Sequence, residues 1–360
     1  MDFERLIRSF FAIQKQNRFD TTDISKAENL VIFIVPPKNS INGGILSIFY
    51  LCRVTRELMP DACVLIATEP GMYTYDKNTW FENSENIFRL SQVLSKASSA
   101  KSILLHVPEY FAPKLTGSLS RKEKDFLLSL PYLHINILNQ NIKQMPSREK
   151  IAPLFTLTEH ITQTTAHDRY ATQEMCNRWG IPLHHFSALL GNPSVNIPSF
   201  NEKLKKKILV ISKDKNSQKQ AVLDMLGKKL PDYRIIVVKR MSYTEYFSLV
   251  ARAMFVVTFG EGFDGYFIQP PSVGSIGIAV YNENFFPGPH WKKLDNVYSS
   301  YDELIERFAE DVRRWEKDEA LYRKIMATNQ EMLDALYSLE KYRDNLKRFY
   351  DRKYDFLPQE

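Results

Sequence analysis

The feature that constrains the fold most is an alternation of apolar, β-branched runs with segments of helical periodicity. Four runs in the first half predict strands, at 29–37, 62–70, 102–110 and 132–142. A helical pattern covers 45–58, and 159–180 changes from strand-like to helical. Strands that are apolar throughout are buried on both faces, as in a parallel sheet covered by helices. The first half therefore predicts an α/β domain.

The alternation stops at 191–207 and then begins again. This stretch, GNPSVNIPSFNEKLKKK, combines Pro, Asn and Ser with a charge run, which is typical of an interdomain linker. Further strands are predicted at 207–212, 233–238, 254–259 and 276–282, and helices at 218–230 and 242–253. We therefore expect two doubly wound domains, 1–200 and 201–330.

The chain is mostly helical from 301 to about 353. Apolar residues at helical spacing form one stripe there: Leu333, Leu336, Leu339, Tyr342, Leu346 and Phe349. We expect the segment 331–360 to be a C-terminal helix that packs through this stripe.

Composition excludes several classes of protein. Hydrophobic residues make up 44% and charged residues 25%, and no apolar run approaches the roughly 20 residues of a membrane span. The first residues, MDFERLIRSFFAIQKQNRF, interrupt their apolar positions with charges and lack the cleavage site of a secretory signal. Cys52, Cys63 and Cys176 have no metal or redox spacing. These features predict a cytoplasmic protein with reduced cysteines.

The net charge of +6 is concentrated in two segments. We interpret KLKKK, 203–207, as a solvated flank. In 341–354, KYRDNLKRFYDRKY, basic residues alternate with aromatic ones, a pattern compatible with peripheral contact to an anionic membrane. A helix packed on a domain with a solvated basic face is the alternative for this segment.

The segment TFGEGFDGYF, 258–267, has three glycines at the spacing of a dinucleotide-binding loop: Gly260, Gly262 and Gly265. Glu261 and Asp264 lie in the same loop, and carboxylates repel a pyrophosphate by roughly 1–4 kcal/mol per pair at about 4 Å. Prolines at 270 and 271 leave no room for a long crossover helix. A nicotinamide or flavin site is therefore disfavoured.

The segment GEGFDGYFIQPPSVGSIGIAVYN resembles the retaining GT-B glycosyltransferases whose signature is Glu-(x)7-Glu. Glu261 matches the first acid, Gly262 and Phe263 match the next positions, and Gln269 stands where the second acid belongs. The similarity spans most of 29–340. It implies two Rossmann-like domains that face a cleft, with C-terminal helices that cross back to the first domain.

The resemblance also implies a set of donor-binding residues. Glu261 would hold the sugar hydroxyls, and Gln269 would take the place of the acid that holds the ribose. Gly262, Phe263 and Asp264 belong to the same loop, and Asp264 departs from the glycine that is more usual there. The basic loop ISKDKNSQK offers the diphosphate three candidate lysines: Lys213, Lys215 and Lys219.

In the first domain, NSINGGILSIFYLCRVTREL resembles the glycine loop and first helix of the family. Gly43 and Gly44 let backbone amides approach a phosphorylated ligand. The donor-facing histidine of the family is missing, because INILNQN offers only amide side chains there. His106 ends the preceding strand, beside Glu109, and is the candidate for its catalytic role. His167, in TTAH, is a further candidate, and a structural histidine at the end of a strand is the alternative interpretation of His106.

The five remaining histidines show no metal-ligand spacing and are interpreted as structural: His134, His160, His184, His185 and His290. We expect no metal and no cofactor, because the sequence has no Asp-x-Asp near the diphosphate loop. The resemblance implies a hexosyltransferase that moves a sugar from a nucleoside diphosphate to a saccharide or lipid-linked glycan with retention, as in surface polysaccharide synthesis. The alternatives are a nucleotide-sugar epimerase and a catalytically inactive subunit of the same fold.

Overall fold

The strands form where the apolar runs lie. A computed structural model describes residues 3–81, 85–187 and 191–359. Over these ranges the strands are β1 (Asn29–Val35), β2 (Cys63–Thr68), β3 (Ile87–Arg89), β4 (Ser102–Pro108), β5 (Tyr132–Asn139), β6 (Ile161–Thr165), β7 (Leu183–His185), β8 (Ile208–Ile211), β9 (Arg234–Val237), β10 (Phe255–Val257), β11 (Ile276–Val280) and β12 (Val297–Tyr298).

Helices occupy most of the connections between these strands. In the same ranges they are α1 (Phe3–Gln16), α2 (Thr22–Lys26), α3 (Gly43–Leu58), α4 (Leu90–Lys96), α5 (Leu115–Ser118), α6 (Arg121–Ser129), α7 (Arg148–Ile151), α8 (Gln173–Trp179), α9 (Phe200–Lys206), α10 (Lys219–Lys229), α11 (Tyr243–Arg252), α12 (Gly265–Ile268), α13 (Tyr301–Lys317), α14 (Glu319–Leu336) and α15 (Leu339–Tyr350).

The chain divides into two compact units. Unit 1 comprises Met1–Gly191 together with Leu339–Glu360, and unit 2 is Asn192–Ser338. The domain borders predicted at 200 and 330 both fall inside unit 2.

Unit 1 contains a parallel sheet, which has seven strands over the described residues, in the order β3-β2-β1-β4-β5-β6-β7. Ile32 of β1 lies opposite Leu65 of β2 and Leu105 of β4, and all three side chains are buried. Helices cover both faces, as continuous apolar strands require. The predicted doubly wound architecture is confirmed for this half.

The last helix, α15, belongs to unit 1. Tyr342, Leu346 and Phe349 are buried and join the core that contains α3, and the Tyr350 hydroxyl lies 2.5 Å from Thr55 Oγ1. This confirms the predicted return of the C-terminal helix. The single stripe from 333 to 349 is corrected, because α14 ends at Leu336 in unit 2.

The same packing revises the membrane interpretation of 341–354. The aromatic side chains of this segment lie in or against the unit 1 core, and the side chains that face solvent are charged ones, mostly basic but including Asp344 and Asp351. A membrane contact through its aromatic residues is not supported, and the alternative of a packed helix describes it better. No helix within the described ranges is both long and apolar enough to cross a membrane.

Unit 2 contains a parallel sheet of five described strands in the order β12-β11-β10-β8-β9. Phe255 of β10 pairs with Leu209 of β8 on one side and with Ile276 of β11 on the other. The buried side chains of these strands and of α13 form the core.

The interpretation of 203–207 as a solvated flank is wrong for its first residue. The segment Phe200–Lys206 is a helix of unit 2, begun by a capping box between Ser199 and Glu202. Lys203 is 2% exposed, and its Nζ donates to Val273 O at 2.8 Å and Gly274 O at 2.6 Å. The buried amino group is thus held by acceptors of the loop before β11, and burial lowers the pKa of Lys203 to about 7.

Candidate functional site

Two loops of unit 2 leave the sheet at the point where its strand order reverses. The chain runs from β8 through α10 to β9 on one side, and from β10 through α12 to β11 on the other. In open parallel sheets, ligands bind outside the carboxyl ends of the strands at such a switch point. The loops 212–218 and 258–264 lie there, and the sequence predicts donor-binding residues in both.

The loop 258–264 is closed by one carboxylate. Asp264 caps α12 by accepting from the Tyr266 backbone N–H at 2.9 Å, and it also accepts from the Thr258 hydroxyl at 2.6 Å. The backbone N–H of Glu261 donates to the same carboxylate. Asp264 therefore stabilises the conformation of the loop. The sequence analysis expected it only to contact a ligand.

A second carboxylate, which the sequence analysis did not select, lies beside the first. A Cβ added to Gly260 would be 2.8 Å from Asp264 Oδ2 and 3.2 Å from Asp214 Oδ2, so both acids converge on this glycine. Burial raises the pKa of Asp264 to about 6, and the charge of Asp214 adds to the effect. The paired loops thus hold two acids that repel each other.

The three lysines of the loop 212–218 and the start of α10 differ in their roles. Lys219 Nζ donates to Ser212 O at 2.6 Å and to Asp214 O at 3.0 Å, so this cation braces its own loop. Lys213 and Lys215 have exposed side chains. Of the predicted diphosphate ligands, these two are the ones that face solvent.

Asn216 connects the two loops, and sequence reasoning missed it. Its Nδ2 donates to the Tyr301 hydroxyl at 2.9 Å and to Phe259 O at 3.4 Å. The rings of Phe259 and Tyr301 stack with centroids 5.7 Å apart. An Asn just before a predicted helix was the available pattern: Asn216 Oδ1 accepts from the N–H of Gln218, the residue that precedes α10.

Glu261 lies at the tip of the loop 258–264, between Gly260 and Gly262, and is partly buried. Gly262 has φ +84°, and an added Cβ would lie 2.7 Å from Val280 O. The glycine is therefore required by the backbone itself. It fixes the turn in which Glu261 sits.

Phe263 and Gln269 point into the unit. The Phe263 ring packs against Phe286 at 5.1 Å and Trp291 at 4.9 Å between centroids, so this side chain is part of the core of unit 2. Gln269 is 6% exposed, and its Nε2 donates to the Tyr243 hydroxyl at 2.6 Å. The amide replaces the expected acid inside a buried hydrogen bond.

In unit 1, Gly43 and Gly44 begin α3 behind the cap of Asn42, whose Oδ1 accepts from the Ile45 N–H at 2.8 Å. A Cβ on Gly43 would meet nothing within 4 Å, whereas one on Gly44 would lie 2.7 Å from Gln140 Oε1. Gly44 is thus explained by the approach of Gln140, and Gly43 faces open space. A cavity of about 20 Å³, the size of one water molecule, lies beside Gln140.

His106 lies in the core of unit 1. Its ring is fully buried and stacks on Phe33 at 4.4 Å, and Nδ1 lies 3.0 Å from Asn136 Nδ2. Burial lowers the pKa of His106 well below its usual value. Asn136 also donates to Thr164 Oγ1, so the histidine is part of a polar layer inside the sheet. We therefore leave His106 out of the proposed site.

His167, the other candidate, lies at the carboxyl edge of the same sheet, and its Nε2 is 3.0 Å from Gln140 O. Glu109 is buried and accepts from the Asn141 N–H at 3.0 Å. Within the described part of the chain, no cluster of three or more His, Cys, Asp or Glu side chains could hold a metal ion.

Comparisons with known proteins agree with this architecture. No family model matches the sequence, and no curated protein is significantly similar to it. Among solved structures, a protein of Listeria monocytogenes assigned as a UDP-N-acetylglucosamine 2-epimerase is similar at 8% identity and a TM-score of 0.51, over 91% of this chain and 98% of the other. The chain has the GT-B fold.

A second similar structure is MnaA of S. aureus with UDP, at 9% identity and a TM-score of 0.50, over 92% of this chain and 99% of the other. The spinosyn rhamnosyltransferase SpnG with thymidine diphosphate matches less well, at 10% identity and a TM-score of 0.46, over 85% and 96%. At these identities the comparisons establish the fold alone.

Proposed function

We propose that this protein binds a nucleoside diphosphate sugar at the switch point of unit 2 and transfers the sugar to a saccharide or lipid-linked acceptor. The observation that carries the proposal is the convergence of the loops 212–218 and 258–264 at that point. One loop presents the exposed cations Lys213 and Lys215, and the other presents Glu261 on a turn fixed by Gly262. A diphosphate requires cations or amides, and sugar hydroxyls bond carboxylates.

In this proposal the diphosphate lies against Lys213 and Lys215, near the amino end of α10. Positive charge and the helix dipole stabilise the negative charge that develops on the leaving diphosphate. Glu261 accepts hydrogen bonds from the sugar. Asp264 and Asp214 stabilise the two loops. Their carboxylates repel a diphosphate and so keep it away from Gly260, where the two acids converge. We propose that transfer proceeds with retention and without a bound metal, because the family resemblance implies both.

The solved neighbours support the nucleotide part of the proposal, since MnaA was solved with UDP. One of them also favours a second candidate, a nucleotide-sugar epimerase. The two reactions differ in what they need. A transferase consumes the donor when an acceptor is present, whereas an epimerase converts the donor to an isomeric nucleotide sugar without one.

The first experiment is a thermal-shift titration with nucleoside diphosphates and their sugars, because a ligand that binds the native state stabilises it by mass action. We expect one base to be preferred. We expect Lys213→Ala/Lys215→Ala to weaken that binding by about tenfold or more, since each charged hydrogen bond is worth about 1.5–3 kcal/mol. Lys205→Ala/Lys206→Ala, which removes two exposed lysines of α9, is the matched control.

Equal weakening in both double variants would show that only net charge matters and would remove the loop 212–218 from the proposal. The preferred donor is then incubated in D₂O with and without saccharide acceptors and followed by NMR. An isomeric nucleotide sugar formed without acceptor would select the epimerase. Binding without turnover across the donor panel would select an inactive subunit.

A further inference from the structure

The helix α1 has its polar face turned inward. The residues it buries are Ser9, Ala12 and Gln16. Gln16 Nε2 donates to Thr74 Oγ1 at 3.0 Å and to the Ile87 carbonyl at 2.9 Å. The Ser9 hydroxyl lies 3.3 Å from Thr74 O and accepts from the Thr74 N–H at 3.2 Å. Hydrogen bonds therefore fix this helix to unit 1, where a surface helix ordinarily uses apolar packing.

The outward face of α1 is apolar. Four side chains at positions i, i+4, i+7 and i+8 are exposed there: Phe3 (75%), Ile7 (42%), Phe10 (57%) and Phe11 (60%). They are four of the ten large hydrophobic side chains that are exposed in the described part of the chain. At 100° per residue they span an arc of about 100°. A contiguous apolar surface of this kind marks an interaction site.

Charged side chains follow one edge of the apolar arc, the acidic Glu4 beside it and the basic Arg8 and Lys15 just beyond. The side chains of Arg8 and Lys15 are 77% and 65% exposed. Arg8 pairs with Glu4, and Lys15 lies 3.2 Å from Asp76. The helix nevertheless carries three basic residues against one acidic residue, although the third, Arg5, is half-buried and donates to Pro37 O. An exposed aromatic arc with a basic border is the pattern of a helix that lies in the interface of an anionic bilayer.

We propose that α1 is a membrane-surface helix, which inserts Phe3, Ile7, Phe10 and Phe11 among the headgroups of an anionic bilayer while unit 1 stays outside. Charge favours this occupant over a second copy of the chain. The basic border complements anionic lipid, whereas face-to-face pairing would bring together two helices of the same net charge. The buried bonds of Gln16 hold the helix in position before any lipid is met.

This inference does not depend on the proposed transfer reaction, because lipid binding is measured without substrate. The full chain is floated with vesicles of phosphatidylcholine alone and with added phosphatidylglycerol. We expect binding only to the anionic vesicles, weakened by salt. The variant Phe3→Ser/Phe10→Ser/Phe11→Ser should bind vesicles at least about a hundredfold more weakly. It lacks the three large apolar side chains whose transfer from water into the bilayer favours binding.

Leu128→Ser/Phe155→Ser is the matched control, since both side chains are exposed in unit 1 outside α1, and it should bind like wild type. Arg8→Gln/Lys15→Gln should weaken binding by about fivefold per charge and reduce its salt dependence. Circular dichroism and the melting temperature check that the variants fold.

Absence of vesicle binding by wild type, or equal binding by the triple variant, would overturn the inference. So would a dimer in sedimentation velocity that the triple variant abolishes without lipid, because the face would then belong to a second copy.

Discussion

Asp264→Asn should stabilise unit 2 at neutral pH, because the fold buries this carboxylate and also holds it close to Asp214. The pKa of Asp264 rises from 3.8 to about 6 on folding. Two pKa units correspond to about 3 kcal/mol at about 1.36 kcal/mol per unit. The amide still caps α12 through Oδ1 and can donate to Thr258 through Nδ2, but loses the extra strength of charged hydrogen bonds. We expect a net gain of about 1–2 kcal/mol.

The gain should depend on pH in one direction. An acid whose pKa is raised in the folded state contributes its stability fully below the unfolded value of 3.8, and that contribution is lost as the pH rises through about 6. As the pH rises from about 4 to about 6, the free energy of unfolding of wild type should therefore decrease relative to that of Asp264→Asn. Above about pH 7 the difference between the two should be constant. Urea denaturation of both proteins across this range measures it. Asp224→Asn, which removes an exposed acid of the same unit, is the control.

A difference between wild type and Asp264→Asn that does not change with pH would refute the reasoning. So would a variant that is less stable than wild type at about pH 8, because the hydrogen bonds would then outweigh the buried charge.

Three further substitutions test particular contacts. Lys203→Met leaves the Val273 and Gly274 carbonyls without their buried donor and should cost about 1–3 kcal/mol in urea denaturation; a neutral result would show that the lysine is dispensable to the loop before β11. Gly262→Ala should cost about 2–4 kcal/mol, because φ is +84° and the new Cβ would lie 2.7 Å from Val280 O, whereas Gly43→Ala meets open space and should be tolerated. Gln269→Glu should tighten nucleotide binding by up to about tenfold in a calorimetric titration if the ribose lies there, and weaker binding would exclude a ribose contact.

Most of the fold was predictable because its strands are long apolar runs. β1, β4 and β5 lie inside the predicted ranges, and their sheet is parallel as expected. The short edge strands β3 and β12, of three and two residues, were not predicted, because so few residues carry no periodicity. The helix α9 was also missed, since a run of lysines suggested a linker and only the tertiary structure shows that Lys203 is buried.

The sequence predicted which loops form the candidate site, but not the role of each side chain in them. The glycines and acids of 258–264 marked the correct turn, but which carboxylate would close it depends on the backbone path that Gly262 sets. The sequence does not distinguish Lys219 from Lys215. In the structure Lys219 donates to the Ser212 and Asp214 carbonyls, whereas the side chain of Lys215 is exposed. His106 was expected to end its strand, but β4 continues to Pro108 and places the histidine beside Asn136 of β5. A buried amide partner of this kind has no signature in a single sequence.

Hydrogen exchange with and without the preferred nucleoside diphosphate tests the central claim most directly. We expect the ligand to slow exchange in the loops 212–218 and 258–264 of unit 2 and in the first turn of α10. Lys213→Ala/Lys215→Ala should remove this protection at the same ligand concentration. Protection that leaves both loops unchanged, or that is the same in the double variant, would contradict the placement of the nucleotide at the switch point of unit 2.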